Sequence, residues 1–88
     1  MAKEQDLQTR IINYLTEQNW EVVKTISLSK NGYEDLFCFK EGGITMFIEV
    51  KAKGAKPRPL QAFRIKQHLK MGFKAFCCDS FEDFLEKY

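Results

Sequence analysis

The run Ile44-Thr45-Met46-Phe47-Ile48-Glu49-Val50-Lys51 is largely apolar until its end, where a carboxylate and an ammonium arrive two residues apart. If the run is a strand, period-two alternation sets Phe47, Glu49 and Lys51 on one face and Met46, Ile48 and Val50 on the other. Charge on such a strand is costly unless it is paired or coordinated. Two simple readings are a strand that emerges into solvent there and a structural ion pair. Asp35 adds a third. Glu41-Gly42-Gly43 is a strong hairpin signal, and if it forms a three-residue loop, Asp35 lies directly across from Glu49 on the same face. A two-residue Gly42-Gly43 turn slips the register and sets Glu34 across from Lys51 instead. Like charges directly opposed in a sheet repel. A divalent cation between them removes that penalty, and oxygen ligands suit magnesium or manganese. Two carboxylates, a cation and a lysine form a set that suits phosphodiester hydrolysis. The cation neutralises phosphate charge and activates a water molecule, while the lysine orients that water, assists its deprotonation or stabilises developing negative charge.

The elements that must position these groups can be read along the chain. Residues 4–18 have helical periodicity, with Leu7, Ile11, Tyr14, Leu15 and Gln18 as an inward stripe that Gln8 and Glu4 extend toward the amino end. A strand is expected over residues 20–27, with Val22, Val23 and Ile26 as core candidates, then a turn at Ser29-Lys30-Asn31-Gly32. Strands from Glu34 to Lys40 and from Ile44 to Lys51 form the hairpin and are expected at the centre of the sheet. Pro59 suits the first turn of a helix that runs to Lys70 or Met71 and stops at Gly72. Ala62, Ile65 and Leu69 can face the sheet, and Gln61 lies near the helix start, partly inward. A strand over Phe73–Cys78 follows, and Ser80 with Asp83 resembles the amino-terminal cap of a last short helix through Phe84 and Leu85. The third strand, second helix and fourth strand form a parallel crossover. The expected fold is α/β: a mixed four-stranded sheet flanked by helices in the order αβββαβα.

The bulk numbers agree with that size of structure. Eighty-eight residues fit one domain, and so short a chain buries about 60–65% of its extended surface, leaving a thin core. Hydrophobic residues make up 44%, with eight Phe, which argues against disorder and can leave apolar surface for a second copy. The net charge is only +2, yet it is segregated: Val50 to Lys74 holds eight basic residues and no acid, and Asp79, Glu82, Asp83 and Glu86 follow. Such a basic stretch suits a phosphate backbone. Lys53, Lys56 and Arg58, which follow the acidic strand at once, are the first candidates for that grip, with Lys66 on the helix beyond. A solubilising charge is the plain alternative for each. Tyr33, beside the glycine turn, can stack on a base or sugar or simply pack the turn. His68 is the only histidine, so no histidine-based metal site exists, and a surface or half-buried place is expected for it. Cys38, Cys77 and Cys78 lack metal-finger spacing and read as small buried hydrophobes in a reducing compartment. No segment has the length of a membrane span, and the amino end lacks a secretory apolar run.

Gly32-x-x-Asp35, then Phe47-Ile48-Glu49-Val50-Lys51, then Gln61 resemble the VRR-NUC branch of the PD-(D/E)XK nucleases. The likeness runs from Glu4 to the Gly72-Phe73 turn and the closing Asp79-Ser80-Phe81-Glu82-Asp83. It implies a restriction-endonuclease-like fold forming one VRR-NUC-like nuclease domain, with magnesium or manganese as cofactor. Asp35 and Glu49 would be the principal metal ligands, assisted by the Val50 carbonyl, and Lys51 the catalytic lysine. Gln61 would be the helix glutamine near the scissile phosphate or the water. Glu4 would be the acid of the first helix, completing the cation environment or binding a second metal. One departure is Glu34, where members of this family commonly carry proline. The stand-alone phage-type members are associated with dimers and with branched DNA, so the resemblance implies a homodimeric, structure-selective endonuclease acting on four-way (Holliday) junctions or similar DNA. Its place would be the cytoplasm, that of the host cell if phage-encoded, with no membrane partner. The alternative is a non-catalytic nucleic-acid-binding module of the same fold, although pure binding gains nothing from acids set beside phosphate. A small protein-interaction subunit is a third class, which the basic stretch disfavours.

Overall fold

The computed structural model describes residues 3–88. Helix α1 (Lys3–Glu17) owes its place to an apolar stripe in which Ile11 and Leu15 are fully buried and Leu7, Ile12 and Tyr14 pack alongside. The stripe stops at Leu15, and Gln18 is exposed. There the chain reverses through Asn19 at φ 72, and the Trp20 N–H returns to the Leu15 carbonyl at 3.0 Å. Asparagine is among the few side chains that accept this left-handed conformation.

Strand β1 (Glu21–Lys24) is shorter than the expected 20–27, and Val23 and Ile26 are not core residues: they are 44% and 92% exposed. The reason is topological. The sheet order is β1-β2-β3-β4, so β1 is an edge, and only Val22 on its inner face meets the core. After Lys24 the ladder gives way to Thr25, whose N–H reaches the Asp35 carbonyl at 2.9 Å and whose hydroxyl donates to the Glu34 carbonyl at 2.7 Å.

Strands β2 (Leu36–Lys40) and β3 (Ile44–Val50) form the antiparallel hairpin at the sheet centre. Lys40 pairs with Ile44 and Leu36 with Ile48, which is the register of the three-residue loop. Gly42 and Gly43 carry φ of 93 and 77 in that loop, a conformation that disfavours side chains. Continuing the register by one residue sets Asp35 opposite Glu49. Strand β4 (Lys74–Cys78) runs parallel to β3 after helix α2 (Pro59–Lys70). Helix α3 (Phe81–Lys87) is capped by Ser80, whose Oγ accepts the Asp83 N–H at 3.0 Å. The order is thus αβββαβα, with the mixed sheet and flanking helices expected of a restriction-endonuclease-like fold.

The two sheet faces differ in character. Met46, Ile48 and Val50 of β3, with Leu36 and Cys38 of β2, join Ile11, Leu15, Trp20, Cys78 and Phe84 in the main core beneath α1 and α3. The other face carries Phe37, Phe47 and Glu49, and α2 lies against it. The phase of α2 differs from expectation: His68 is buried and Leu69 is 51% exposed. His68 turns inward because it finds partners there, the Phe47 ring stacked at 4.2 Å and a Glu34 carboxylate oxygen at 2.8 Å.

Helix α2 also presses on the turn before Asp35. Gly32 has φ 82, and a Cβ there would meet Leu60 Cγ at 2.5 Å. Gly32→Ala should therefore cost about 1–3 kcal/mol from the left-handed backbone and the overpacked contact. In a Leu60→Ala background, where only the Cβ contact at 3.2 Å survives, the cost should shrink toward the backbone part, as a thermal-denaturation double-mutant cycle would read.

Candidate active site

β3 delivers Glu49 and Lys51 to the same side of the sheet one step apart, and the hairpin register brings Asp35 to them. Glu49 is 2% exposed. Its Oε2 lies 3.4 Å from Lys51 Nζ, and its Oε1 is buried with no hydrogen-bond partner among the described residues. Asp35 precedes β2 and turns its carboxylate back across the hairpin, where Oδ2 accepts the Val50 N–H at 2.9 Å. Burial first, and then the Asp35 charge, push the Glu49 carboxyl up to about 7. Asp35 is also raised, by burial and more weakly by Glu4, against the lowering hydrogen bond from Val50.

This donor set fits a hard divalent cation. It offers a buried carboxylate oxygen with no partner, a second carboxylate beside it and a strand carbonyl at Val50 between Glu49 and Lys51. The chain itself supplies a small set: among the described residues no three or more His, Cys, Asp or Glu side chains form a metal-holding group. Glu4 stands at the exposed start of α1 and reaches Asp35 through its charge rather than by joining such a group.

The other expected residues take unequal places. Gln61 is at the third position of α2, where its Oε1 accepts the Arg58 N–H at 2.8 Å. It therefore caps the helix and keeps its amide group free to donate. Lys53, Lys56 and Arg58 are exposed on the loop that leaves Lys51, and Lys66 is exposed on α2. Tyr33 is half-buried, with the Arg64 guanidinium 4.7 Å from its ring centre and Phe37 and His68 beside it. It packs the turn.

Four residues near the site escaped the sequence. Glu34 and His68 form the buried contact described above. Cys77 is paired in register with Glu49, and its thiol is pushed up by burial and by the Glu49 charge. Asp79 accepts the Gly54 N–H at 2.9 Å, which lowers its carboxyl and ties the basic loop to the end of β4. Only Glu34 carried a signal, as an acid beside Asp35 where proline was expected.

A mixed sheet that presents an Asp and a Glu-x-Lys pair on one face defines the fold of a PD-(D/E)XK nuclease. Within that class the chain is structurally homologous to a VRR_NUC domain: a solved structure so described superposes with a TM-score of 0.84 at 26% identity, over 93% of this chain and 89% of that one. No protein-family model and no curated protein sequence matches the chain. Among the described residues no helix is long and apolar enough to cross a membrane.

The raised Glu49 carboxyl has a consequence for stability. Between its ordinary value of 4.5 and about 7, the folded protein holds a proton that the unfolded chain has released. Stability is therefore lost as pH rises through that window. With divalent ions chelated, Tm should be higher at pH 6 than at pH 8. Glu49→Gln should raise Tm at pH 8 and flatten most of the slope in calorimetry; an unaltered slope would contradict the assignment.

Proposed function

We propose that the chain is a divalent-cation-dependent endonuclease that hydrolyses DNA phosphodiester bonds. The observation that carries this reading is Glu49, a buried carboxylate with one oxygen that has no partner among the described residues, held beside Asp35 and near Lys51. A structural ion pair accounts for one oxygen of Glu49 and leaves the other, with the neighbouring Asp35, unexplained. Homology to a VRR_NUC domain supports nuclease and DNA-binding function in general.

In this reading Asp35, Glu49 and the Val50 carbonyl would hold magnesium or manganese, with the Glu4 charge at the outer edge. When bound, such an ion neutralises phosphate charge and lowers the pKa of an attacking water. The residues of the chain do the positioning. The Val50 N–H fixes one Asp35 oxygen, which leaves the other as the one that would serve the cation. Lys51, whose side chain is largely buried, holds its ammonium beside Glu49, where it orients water and stabilises negative oxygen as the bond breaks. Gln61, its acceptor oxygen already used by Arg58, would offer its amide N–H groups to phosphate. Lys53, Lys56 and Arg58 grip the backbone beside the cut, Lys66 extends the grip along α2, and Tyr33 bounds the strand's path. The whole chain acts as one nuclease unit.

Branched DNA such as a four-way junction is the substrate that best matches a small basic surface with one site per copy. A two-fold homodimer would present two sites to a symmetric junction. Exposed Phe63, Leu69 and Met71 are apolar surface available to such a pair.

Cleavage of linear, flap, nicked and four-way DNA with magnesium or manganese tests the proposal. Asp35→Ala and Lys51→Ala should each lose about 100-fold or more in rate while still shifting DNA in a gel. Wild-type protein that binds all four substrates and cuts none would instead establish a non-catalytic binding module. For the grip, the log–log salt slope of DNA affinity should fall by about 0.9 for each phosphate contact removed in Lys53→Ala, Lys56→Ala and Arg58→Ala. A slope unchanged in the triple variant would place the grip elsewhere.

A further inference from the structure

The Glu34–His68 contact is not used by the chemistry described above, yet both residues are almost fully buried, at 1% and 5% exposure. Glu34 Oε2 and His68 Nδ1 lie 2.8 Å apart, the length of a strong hydrogen bond. The imidazole is also stacked on Phe47, two residues before Glu49 on β3. Glu34 in turn is the residue before Asp35, and its carbonyl accepts the Thr25 hydroxyl at 2.7 Å. The peptide that carries Asp35 is thus held through Thr25 on the β1 side and through His68 on the α2 side.

The contact belongs to a longer stripe. Leu60, Arg64 and His68 follow the i, i+4, i+8 spacing of one helix face. Leu60 sits where a Cβ of Gly32 would be, Arg64 Nε donates to the Asn31 carbonyl at 3.1 Å, and His68 meets Glu34. α2 therefore grips the whole turn from Asn31 to Glu34 and, at its own start, carries Gln61. A buried carboxylate with one oxygen lacking any partner among the described residues is an expensive way to staple a helix to a turn. A pair of hydrophobic side chains would do so at lower cost. What the hydrogen bond adds is direction: it fixes the rotation of the turn, and so where the next side chain points.

We infer that Glu34 and His68 are positioning residues that aim the Asp35 carboxylate at the Val50 N–H and into the site. The inference rests on the nuclease reading for its kinetic consequence but not for its structural one, because the Val50 amide reports the placement of Asp35 without metal or DNA.

The experiment compares wild type with His68→Phe, which keeps an aromatic ring beside Phe47 and removes the hydrogen bond, and with His68→Asn and Glu34→Gln, which keep a donor facing an acceptor. Amide exchange of Val50 is followed by NMR in the absence of metal, and kcat and KM are measured with manganese. In His68→Phe, Val50 protection should fall about ten-fold or more relative to the other β3 amides. Its kcat should fall about ten-fold or more with KM within about two-fold. His68→Asn and Glu34→Gln should retain both properties within about three-fold. Should His68→Phe fail to fold, Glu34→Met removes the acceptor from the other side and is read in the same way. Unchanged Val50 protection and kcat in the variants lacking the bond would overturn the inference, as would equal losses in the variants that keep it. If wild-type protein cuts no DNA, the nuclease reading falls, and Val50 exchange alone decides this one.

Discussion

Glu49 and Asp35 are two acids held side by side on a largely buried sheet face, where the Asp35 charge adds to the cost of ionising Glu49. Burial pushes both carboxyls above their ordinary range, helped at Glu49 by the Asp35 charge and at Asp35 by the Glu4 charge. Left to relax, such a pair would separate or draw in water. The protein opposes this with covalent geometry and main-chain hydrogen bonds. Glu49 cannot leave because β3 is fixed on both sides, by β2 and by β4. Asp35 is held at its carbonyl by the Thr25 N–H and at its carboxylate by the Val50 N–H. Lys51 offsets part of the charge at 3.4 Å, which is near but leaves one Glu49 oxygen unserved. A site with unspent acceptor capacity remains open to a cation in a way that a closed ion pair is not.

This arrangement divides the sheet. The face under α1 and α3 is a continuous apolar core, with Leu36, Ile48, Met46 and Phe84 fully buried, and it carries the stability of a small domain. That solid support lets the opposite face hold groups that would otherwise unfold it, namely Glu34, Glu49 and His68, the three buried polar residues among those described. Functional sites commonly store such cost where surrounding structure over-determines the geometry. The basic loop follows the same logic. It leaves the site at Lys51, and Asp79 at the end of β4 secures it through Gly54. Lys53, Lys56 and Arg58 are therefore presented from a tethered loop.

What the sequence displays and what it hides follow from the range of the interactions. Alternation in Ile44–Val50, the glycine-rich three-residue loop, Gly72 after α2 and the Ser80 cap are local signals, and each appears in the structure at its expected place. The register that joins Asp35 to Glu49 was one of two that the sequence allowed, and the structure adopts the longer loop. Val23 and Ile26 look like core residues and so suggest a longer β1, and nothing local reveals that the strand lies at an edge of the sheet. The rotation of α2 was hidden for a related reason. Hydrophobicity favours turning Leu69 inward, and only a partner 34 residues away, Glu34, makes His68 the better choice.

The rotation of α2 links the polar site to the apolar surface. Successive residues of a helix differ by about 100°, so turning His68 toward Glu34 carries Leu69 away from the sheet. Leu69 is 51% exposed, and Met71 just past the helix end is 61% exposed. A hydrophobic optimum for α2 alone would bury Leu69 and leave the histidine in water. The observed phase sacrifices that burial to hold the turn before Asp35. The exposed apolar patch and the buried polar pair are thus two sides of one choice of helix rotation. Any surface through which this protein meets a second copy would inherit its composition, at least in part, from the demand that Asp35 be held in place.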